Sequence, residues 1–553
     1  MRGRVVSDGS KVGKRSGRRP CAASTGKAVL RPDLCYLPQV LLRLRIVGIV
    51  AGCALATTAA CTEGTDLNSE TGDGETGEPE DPYRATVTHS FGKLHLEGFE
   101  EAQPCGSWTL NNDEAVYVNA VTLANEGSWH HSNWFVVPET MYPGEDGYWK
   151  CSDRDFEEIK SATSGTVIFA QSTQSLYETM DLNPGAVVKI PPRHKIVGGL
   201  HALNLAPREL ETELRMSIEI IHPKDVETVL TPIRLSYLDL TIPPLAESHF
   251  SSSCDMNARY EQATGHPLDV KLHYVIPHYH YLGNFFELSI NGGPRDGELL
   301  YQLDGFNAEG NGRQFFPPID LTGAKGLNFT CGYDNWRDVE VGWGVGDQEM
   351  CVMLGLAESE RLMDNTVLEG GSEAVGVVDG VVQYEGGCLT IPLTKKTNQG
   401  PPTQEEIDGD LYVPPSDPND DGLLPIPECE DTPEDATAAI EASLTAIKEN
   451  IFVPACAFSA CHGQGGEASG LDLDSTNLHD TLLNHPVDAD TTMPLIDPGN
   501  PGNSWIMKLI GTCEPTTETG DVANHMPRNA PTLLDPGLVA AVRDWIAAGA
   551  PDN

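Results

Sequence analysis

The sequence predicts a mainly β protein: two tandem antiparallel β-sandwich domains followed by a small all-α domain. Three observations predict it. At 553 residues the chain is too long for one ordinary hydrophobic core. Glycine (55) and proline (40) are plentiful, which suits short strands joined by many turns. Short alternating apolar runs recur between residues 84 and 396, and after residue 429 the spacing becomes that of amphipathic helices.

Residues 1–60 read as an export segment. It is basic up to Arg45 and then apolar for about fifteen residues, too short a core to cross a bilayer. It ends Ala59-Ala60-Cys61, which resembles a bacterial lipoprotein signal whose cysteine becomes the lipidated first residue. Cys53 is the rival position, and Cys61 is favoured because a polar acidic stretch follows it at once. Residues 61–83 hold eight Asp/Glu and no Lys/Arg, the composition of a disordered tether.

Residues 84–230 give the first sandwich, with strands expected at 115–123, 165–170, 186–190 and 214–221. Residues 231–396 give the second, with strands at 233–240, 269–276, 285–290, 298–303 and 350–356. Turn signals such as Asn291-Gly292-Gly293-Pro294 separate them. Residues 397–428 hold seven Pro and eight Asp/Glu and read as a flexible linker. Asp417 to Glu428 matches the spacing of an EF-hand loop, but Pro425 and Pro427 lie inside it and no helix precedes it, so a calcium site is rejected. Residues 429–553 form the helical domain, with helices expected at 435–450 and 538–548.

The formal net charge of -45 excludes a general electrostatic footprint for nucleic acid. It suits an exported, soluble surface. Ten cysteines follow Cys61, an even number that in an exported chain reads as a disulfide framework.

The candidate chemistry gathers around residues 272–283, LHYVIPHYHYLG. On a strand, positions i and i+2 face the same way, so His278 and His280 can reach one metal ion. The pair His130-His131, the lone His201, and Met350 beside Cys351 are the other candidates. Imidazoles alone admit zinc, copper, nickel or iron, whereas a thioether ligand narrows the choice strongly to copper. His89, His95, His194, His222, His249, His266 and His273 are read as structural or surface residues.

From about residue 84 to 390 the chain resembles the copper type II, ascorbate-dependent monooxygenases, the family of the peptidylglycine α-hydroxylating and dopamine β-monooxygenases. The resemblance is a series of landmarks in order. His130-His131 stands for the family's HHM, and His201 for its lone first-domain histidine. Ile242-Pro243-Pro244 and Ser253-Cys254 open its second domain, His278-Tyr279-His280-Tyr281-Leu282-Gly283 stands for HTHxxG, and Cys331, Glu349-Met350-Cys351 and Cys388 close it. The resemblance implies two jelly-roll sandwiches carrying two mononuclear coppers across a solvent-filled cleft. His130, His131 and His201 would hold the electron-transfer copper. His278, His280 and Met350 would be catalytic, holding the copper where dioxygen meets a small-molecule substrate. It implies disulfides Cys105–Cys151, Cys254–Cys388 and Cys331–Cys351, hydroxylation of a C–H bond, and an external electron donor, ascorbate-like or a redox protein. Ser132 and Tyr279 replace two non-ligand residues of these motifs. Ile276 and Leu354 stand where peptide-amidating members carry an arginine and a tyrosine, so an apolar or uncharged substrate is expected in place of a glycine-extended peptide.

In the C-terminal domain, Cys456, Cys461 and His462 form a C-x4-C-H motif, a rarer spacing of the C-x-x-C-H haem attachment. His525-Met526-Pro527 follows about sixty residues later, and Met526 is the expected second axial ligand, with Met493 as a weaker one. Most of residues 429–553 thus resemble small cytochrome c domains. A local Cys456–Cys461 disulfide without haem is the competing reading, and Cys429 and Cys513 are a candidate bridge between the ends of the domain. The leading expectation is an exported, lipid-anchored copper monooxygenase with a fused haem c domain. The rivals are a non-catalytic copper/haem electron-transfer lipoprotein and a zinc hydrolase.

Overall fold

The structure, a computed structural model, describes residues 83–553 except 99, 172–174, 205–208, 281, 305–311, 345–347, 416–421, 426–427, 458–461, 464–469, 488–490, 529 and 531. The export segment, Cys53, Cys61, the acidic tether up to residue 82, most of the EF-hand-like stretch and Cys461 lie outside the described residues.

The first domain is two facing six-stranded sheets. One runs Arg84–Leu96, Leu210–Ile221, Val116–Asn125, Ala186–Ile190, Thr228–Val229, with Tyr177–Asp181 on the side of Val116–Asn125. The other runs Gly147–Lys150, Pro104–Thr109, His194–Leu203, Trp129–Pro138, Thr166–Ala170, with Glu101–Ala102 beside His194–Leu203. Their inner faces share one core that includes Trp134, Val118, Ile196 and Leu214. Burying an indole such as Trp134 contributes on the order of 4 kcal/mol. Gly198 makes that burial possible: it sits opposite Trp134 in the register, and a Cβ there would come within 2.5 Å of the indole.

The second domain departs from a simple pair of sheets. Ten strands form one sheet, in the order Leu299–Asp304, Gly283–Asn291, Gly326–Asn335, Ala246–Asp255, Val381–Thr394, Arg361–Val378, Thr231–Tyr237, Val352–Ser359, Val270–His278, Arg313–Asp320. Leu288 and Leu300 near one edge and Leu272 and Phe315 near the other belong to the same core, so the sheet folds over on itself. The hairpin of Arg361–Val378 and Val381–Thr394 was not expected. Its outer half exposes Val375, Val377 and Val378, which carry no burial signal in the alternation.

The two β domains share apolar packing. Tyr274, Ile276 and Leu356 of the second domain belong to the core of the first. Residues 397–428 also differ from a free linker. The helix Gln404–Asp408 is closed by a Thr403/Glu406 capping box. Lys189 pairs with Glu406 at 3.5 Å, His222 Nε2 bonds the Gly409 carbonyl at 3.0 Å, and Arg215 donates to the Gly422 carbonyl at 2.7 Å. Tyr412 packs against the first core. The strap is held because its few apolar and acidic groups find partners on the first sandwich, which composition does not reveal.

In the C-terminal region the expected helix at 435–450 begins later. Ser443 caps Leu444–Ile447, a wider π turn covers Lys448–Phe452, and Val453–Ala455 ends the helix. The stretch before it is irregular, with turns and bends, because Ala439 N bonds the Gly537 carbonyl and Arg543 holds the Glu434 and Ala436 carbonyls. Pro454 lacks an amide hydrogen, and the turn preceding it widens. Helices Leu478–Asn484, Trp505–Gly511 and Pro536–Ala547 pack with it around Trp545, Ile447 and Val542. Among the described residues, four disulfides link Cys105–Cys151, Cys254–Cys388, Cys331–Cys351 and Cys429–Cys513.

Candidate metal centre

His131 and His201 lie directly across from each other on the neighbouring strands Trp129–Pro138 and His194–Leu203. The register then slips, pairing Ala202 with Trp129, so His130 is the extra residue of a β-bulge. Successive strand residues normally face opposite ways, and a bulge removes that alternation. This is why two adjacent histidines and a distant one gather, with ligand-type nitrogens all within 4.8 Å of one another. Ring centroids are 5.3 Å apart for His130 and His131, 5.0 Å for His130 and His201, and 5.2 Å for His131 and His201.

His278 ends the strand Val270–His278, and His280 lies beyond it in the turn that Gly283 closes by donating to the His280 carbonyl. The two rings, 5.2 Å apart, therefore do not converge through alternation along one strand, as their spacing suggested. His280 is aimed by Nδ1–H donating to the Gln348 carbonyl at 2.6 Å, which leaves Nε2 available. Met350 is partly buried and stands two residues before Val352, the register partner of His278. Tyr333 Oη donates to its carbonyl at 2.7 Å. Gly283 has no room for a side chain, since a Cβ would meet the buried Tyr279 ring at 2.0 Å. Gly283→Ala is expected to lower stability by about 1–3 kcal/mol, the usual cost of overpacking, read from the thermal unfolding midpoint.

The two histidine groups meet. His131 and His278 are 5.5 Å apart, so five imidazoles run continuously from His201 through His130, His131 and His278 to His280. This corrects the expected solvent-filled cleft between the two groups: the apolar contacts of Tyr274, Ile276 and Leu356 draw the sandwiches together. Loss of water, reinforced by the neighbouring rings, pushes His130 and His131 well below the usual histidine range and His278 down to about 3. Burial also lowers His280. Neutral imidazoles with available lone pairs are what a metal ion requires.

Two acidic residues that sequence reasoning missed serve this cluster. Glu101 Oε1 accepts from His201 Nε2 at 2.8 Å, and His201 holds the Glu101 carboxyl below its usual range. That bond leaves His201 Nδ1 for a ligand role. Glu349 is fully buried beside His280. Neither had a local sequence signal as a partner: Glu101 lies 100 residues from His201, and Glu349 was only part of a landmark.

In the helical unit, the His462 amide donates to the Cys456 carbonyl at 2.9 Å, and His462 Nδ1–H donates to the Leu471 carbonyl at 3.2 Å. Cys456 and Met526 both pack against the helical core. Arg528, two residues after Met526, is close enough to His130 to oppose its protonation, and burial pushes Arg528 down to about 10. The remaining histidines take up other work. His89 stacks on Trp108, His249 stacks on Phe285, and His273 bonds Asn183 across the two β domains.

No family model matches the chain, and no curated protein matches it. Among solved structures, the major capsid protein P2 of bacteriophage PM2 aligns with 50% of this chain and 97% of its own at 7% identity and a TM-score of 0.23. Sulfolobus Turreted Icosahedral Virus gives 10% identity over 50% of this chain and 59% of that one, TM-score 0.15. A tandem carbohydrate-binding-module domain from Paenibacillus barcinonensis gives 9% identity over 51% and 99%, TM-score 0.13. Scores this low carry no argument about function.

Proposed function

We propose that the chain is a copper-dependent monooxygenase that hydroxylates a C–H bond of a small uncharged substrate, with electrons entering through a fused haem c domain. The observation that carries the proposal is the continuous run of five histidines across two β domains, with Met350 beside its far end. The donor set fits copper: imidazole nitrogens with one thioether suit both of its oxidation states. His130, His131 and His201 would hold one ion, and His278, His280 and Met350 the other. Bound copper would supply one-electron chemistry toward dioxygen. The chain's own part is to keep His130, His131, His278 and His280 neutral, to aim His201 and His280 through Glu101 and Gln348, and to exclude water by packing the two sandwiches together.

An uncharged substrate is supported by Ile276 and Leu354. They pair across adjacent strands and offer only apolar surface, with no charged group to grip a carboxylate. Haem is supported by the orientation of His462 and by Cys456 and Met526 sharing one core. Electron entry from the helical unit is supported by Arg528 lying near His130. Four disulfides support an exported protein, and a lipid anchor at Cys61 completes the reading.

Metal and haem analysis of the full chain after aerobic purification tests this. Two coppers and one haem are expected. Haem without copper would favour an electron-transfer lipoprotein, and zinc would favour a hydrolase. Met350→Ala is expected to retain one copper and to lose oxygen-dependent hydroxylation by on the order of 100-fold, the upper range for disturbing a metal site's support. Full copper and activity in that variant would overturn the assignment.

A further inference from the structure

Glu349 is the most enclosed acidic side chain near the histidines, fully buried yet bonded on both oxygens. Oε2 accepts the His280 amide at 2.8 Å, and Oε1 accepts the Leu282 amide at 2.8 Å. The Met350 amide bonds the same carboxyl. One carboxyl therefore grips the turn that carries His280 and the start of the segment that carries Met350. Its own backbone is anchored as well. The Glu349 amide donates to the Gly342 carbonyl at 2.9 Å, and the Gly344 amide donates to the Glu349 carbonyl at 3.0 Å. Beyond it, the Cys331–Cys351 disulfide fixes the next residue but one.

The His280 ring bonds the Gln348 carbonyl from the other side, and Tyr333 fixes the Met350 carbonyl, but Glu349 holds the turn at two amides, those of His280 and Leu282. Burying a carboxyl is costly unless its oxygens are satisfied. Such a group persists where geometry is held in return.

We infer that Glu349 is the positioning residue of the His278/His280/Met350 site: its carboxyl sets the distance between the histidine turn and the methionine segment. The inference rests on the copper reading. A glutamine at 349 has the right shape but presents an NH2 group to a backbone N–H, two donors face to face, so one of the two arms must open. An aspartate keeps the acid but falls one methylene short and can hold only one segment at full strength.

The test uses the full-length protein with Glu349→Gln and Glu349→Asp. Copper(I) is titrated against a chromophoric chelator, and X-ray absorption records sulfur at the metal. Wild type is expected to take two equivalents. Glu349→Gln should hold one as tightly as wild type and the other about 10- to 100-fold more weakly, with the sulfur signal lost. Glu349→Asp should fall between them, and it carries the comparison if the glutamine variant does not fold. Two undisturbed coppers, or equal weakening of both, would overturn the inference. If wild type itself takes no copper, the proposed function fails, and the metal-free protein then decides the role of Glu349. Diethyl pyrocarbonate should modify His280 faster in Glu349→Gln than in wild type, with His130 unchanged. Equal His280 rates would overturn the inference independently of copper.

Discussion

On the proposed copper reading, replacing His278 with alanine should halve the copper content of the purified protein and abolish oxygen-dependent hydroxylation, while leaving the fold in place. His278 is the link of the histidine run, with its ring 5.5 Å from His131 and 5.2 Å from His280. Without it, His280 and Met350 are left as a two-donor set, below the three protein ligands that catalytic sites of this kind usually keep. The other group does not depend on His278: its three donors converge through the bulge at His130 and the pairing of His131 with His201. Copper should therefore fall from two equivalents to one. The fold should tolerate the change, because an imidazole held neutral by burial contributes little to stability by itself. Loss of both coppers would show that the five histidines act as one inseparable site. Retention of both, with full activity, would remove His278 from the reaction. Copper analysis and an oxygen electrode, read on the same preparation, decide between these outcomes.

The second large effect concerns stability. Breaking the Cys254–Cys388 bridge with a double alanine variant should cost about 5 kcal/mol, since it closes a loop spanning 134 positions. That is comparable with the whole stability of many domains, about 5–15 kcal/mol. The bridge joins the strands Ala246–Asp255 and Val381–Thr394, which are parallel neighbours at the middle of the ten-stranded sheet. Parallel neighbours so far apart in sequence gain little from local chain connection, so the crosslink restrains the unfolded chain most where the fold needs it. Urea unfolding followed by tryptophan fluorescence should show the second β domain melting well before the first. An unchanged midpoint would mean that native strain or residual unfolded structure cancels the entropy gain. The Cys331–Cys351 bridge spans 20 positions and should stabilise by only about 3 kcal/mol on the same relation. Its larger consequence is local, because it fixes the residue after Met350.

How much of this was legible depends on how local each signal is. The strands at 186–190 and 165–170 were readable because both are short apolar runs closed off by turn residues, and they appear as Ala186–Ile190 and Thr166–Ala170. The helix at 538–548 was readable from its apolar spacing and appears as Pro536–Ala547. The helix expected at 435–450 slid to 444–455 because the contacts of Arg543 and Gly537 outweigh helical propensity in its first half. The hairpin at 361–394 went unseen because its glycines and charges hide a pairing that runs between two distant strands of the sheet.

The sequence by itself determined the inventory of the protein: a mainly β chain, cysteines able to pair in four bridges, and histidines spaced in twos with one methionine near a cysteine. These follow from residue identity and short-range spacing, which a linear chain records in full. Only the tertiary structure decided how that inventory meets. The bulge that turns His130 to the side of His131 depends on the register of a strand some seventy residues away. The approach of His131 to His278 depends on apolar contacts between two domains. The grip of Glu349 on the His280 turn depends on burial, which removes competing water from its oxygens. Register, desolvation and domain contact are properties of pairs of segments, so no single stretch of sequence carries them.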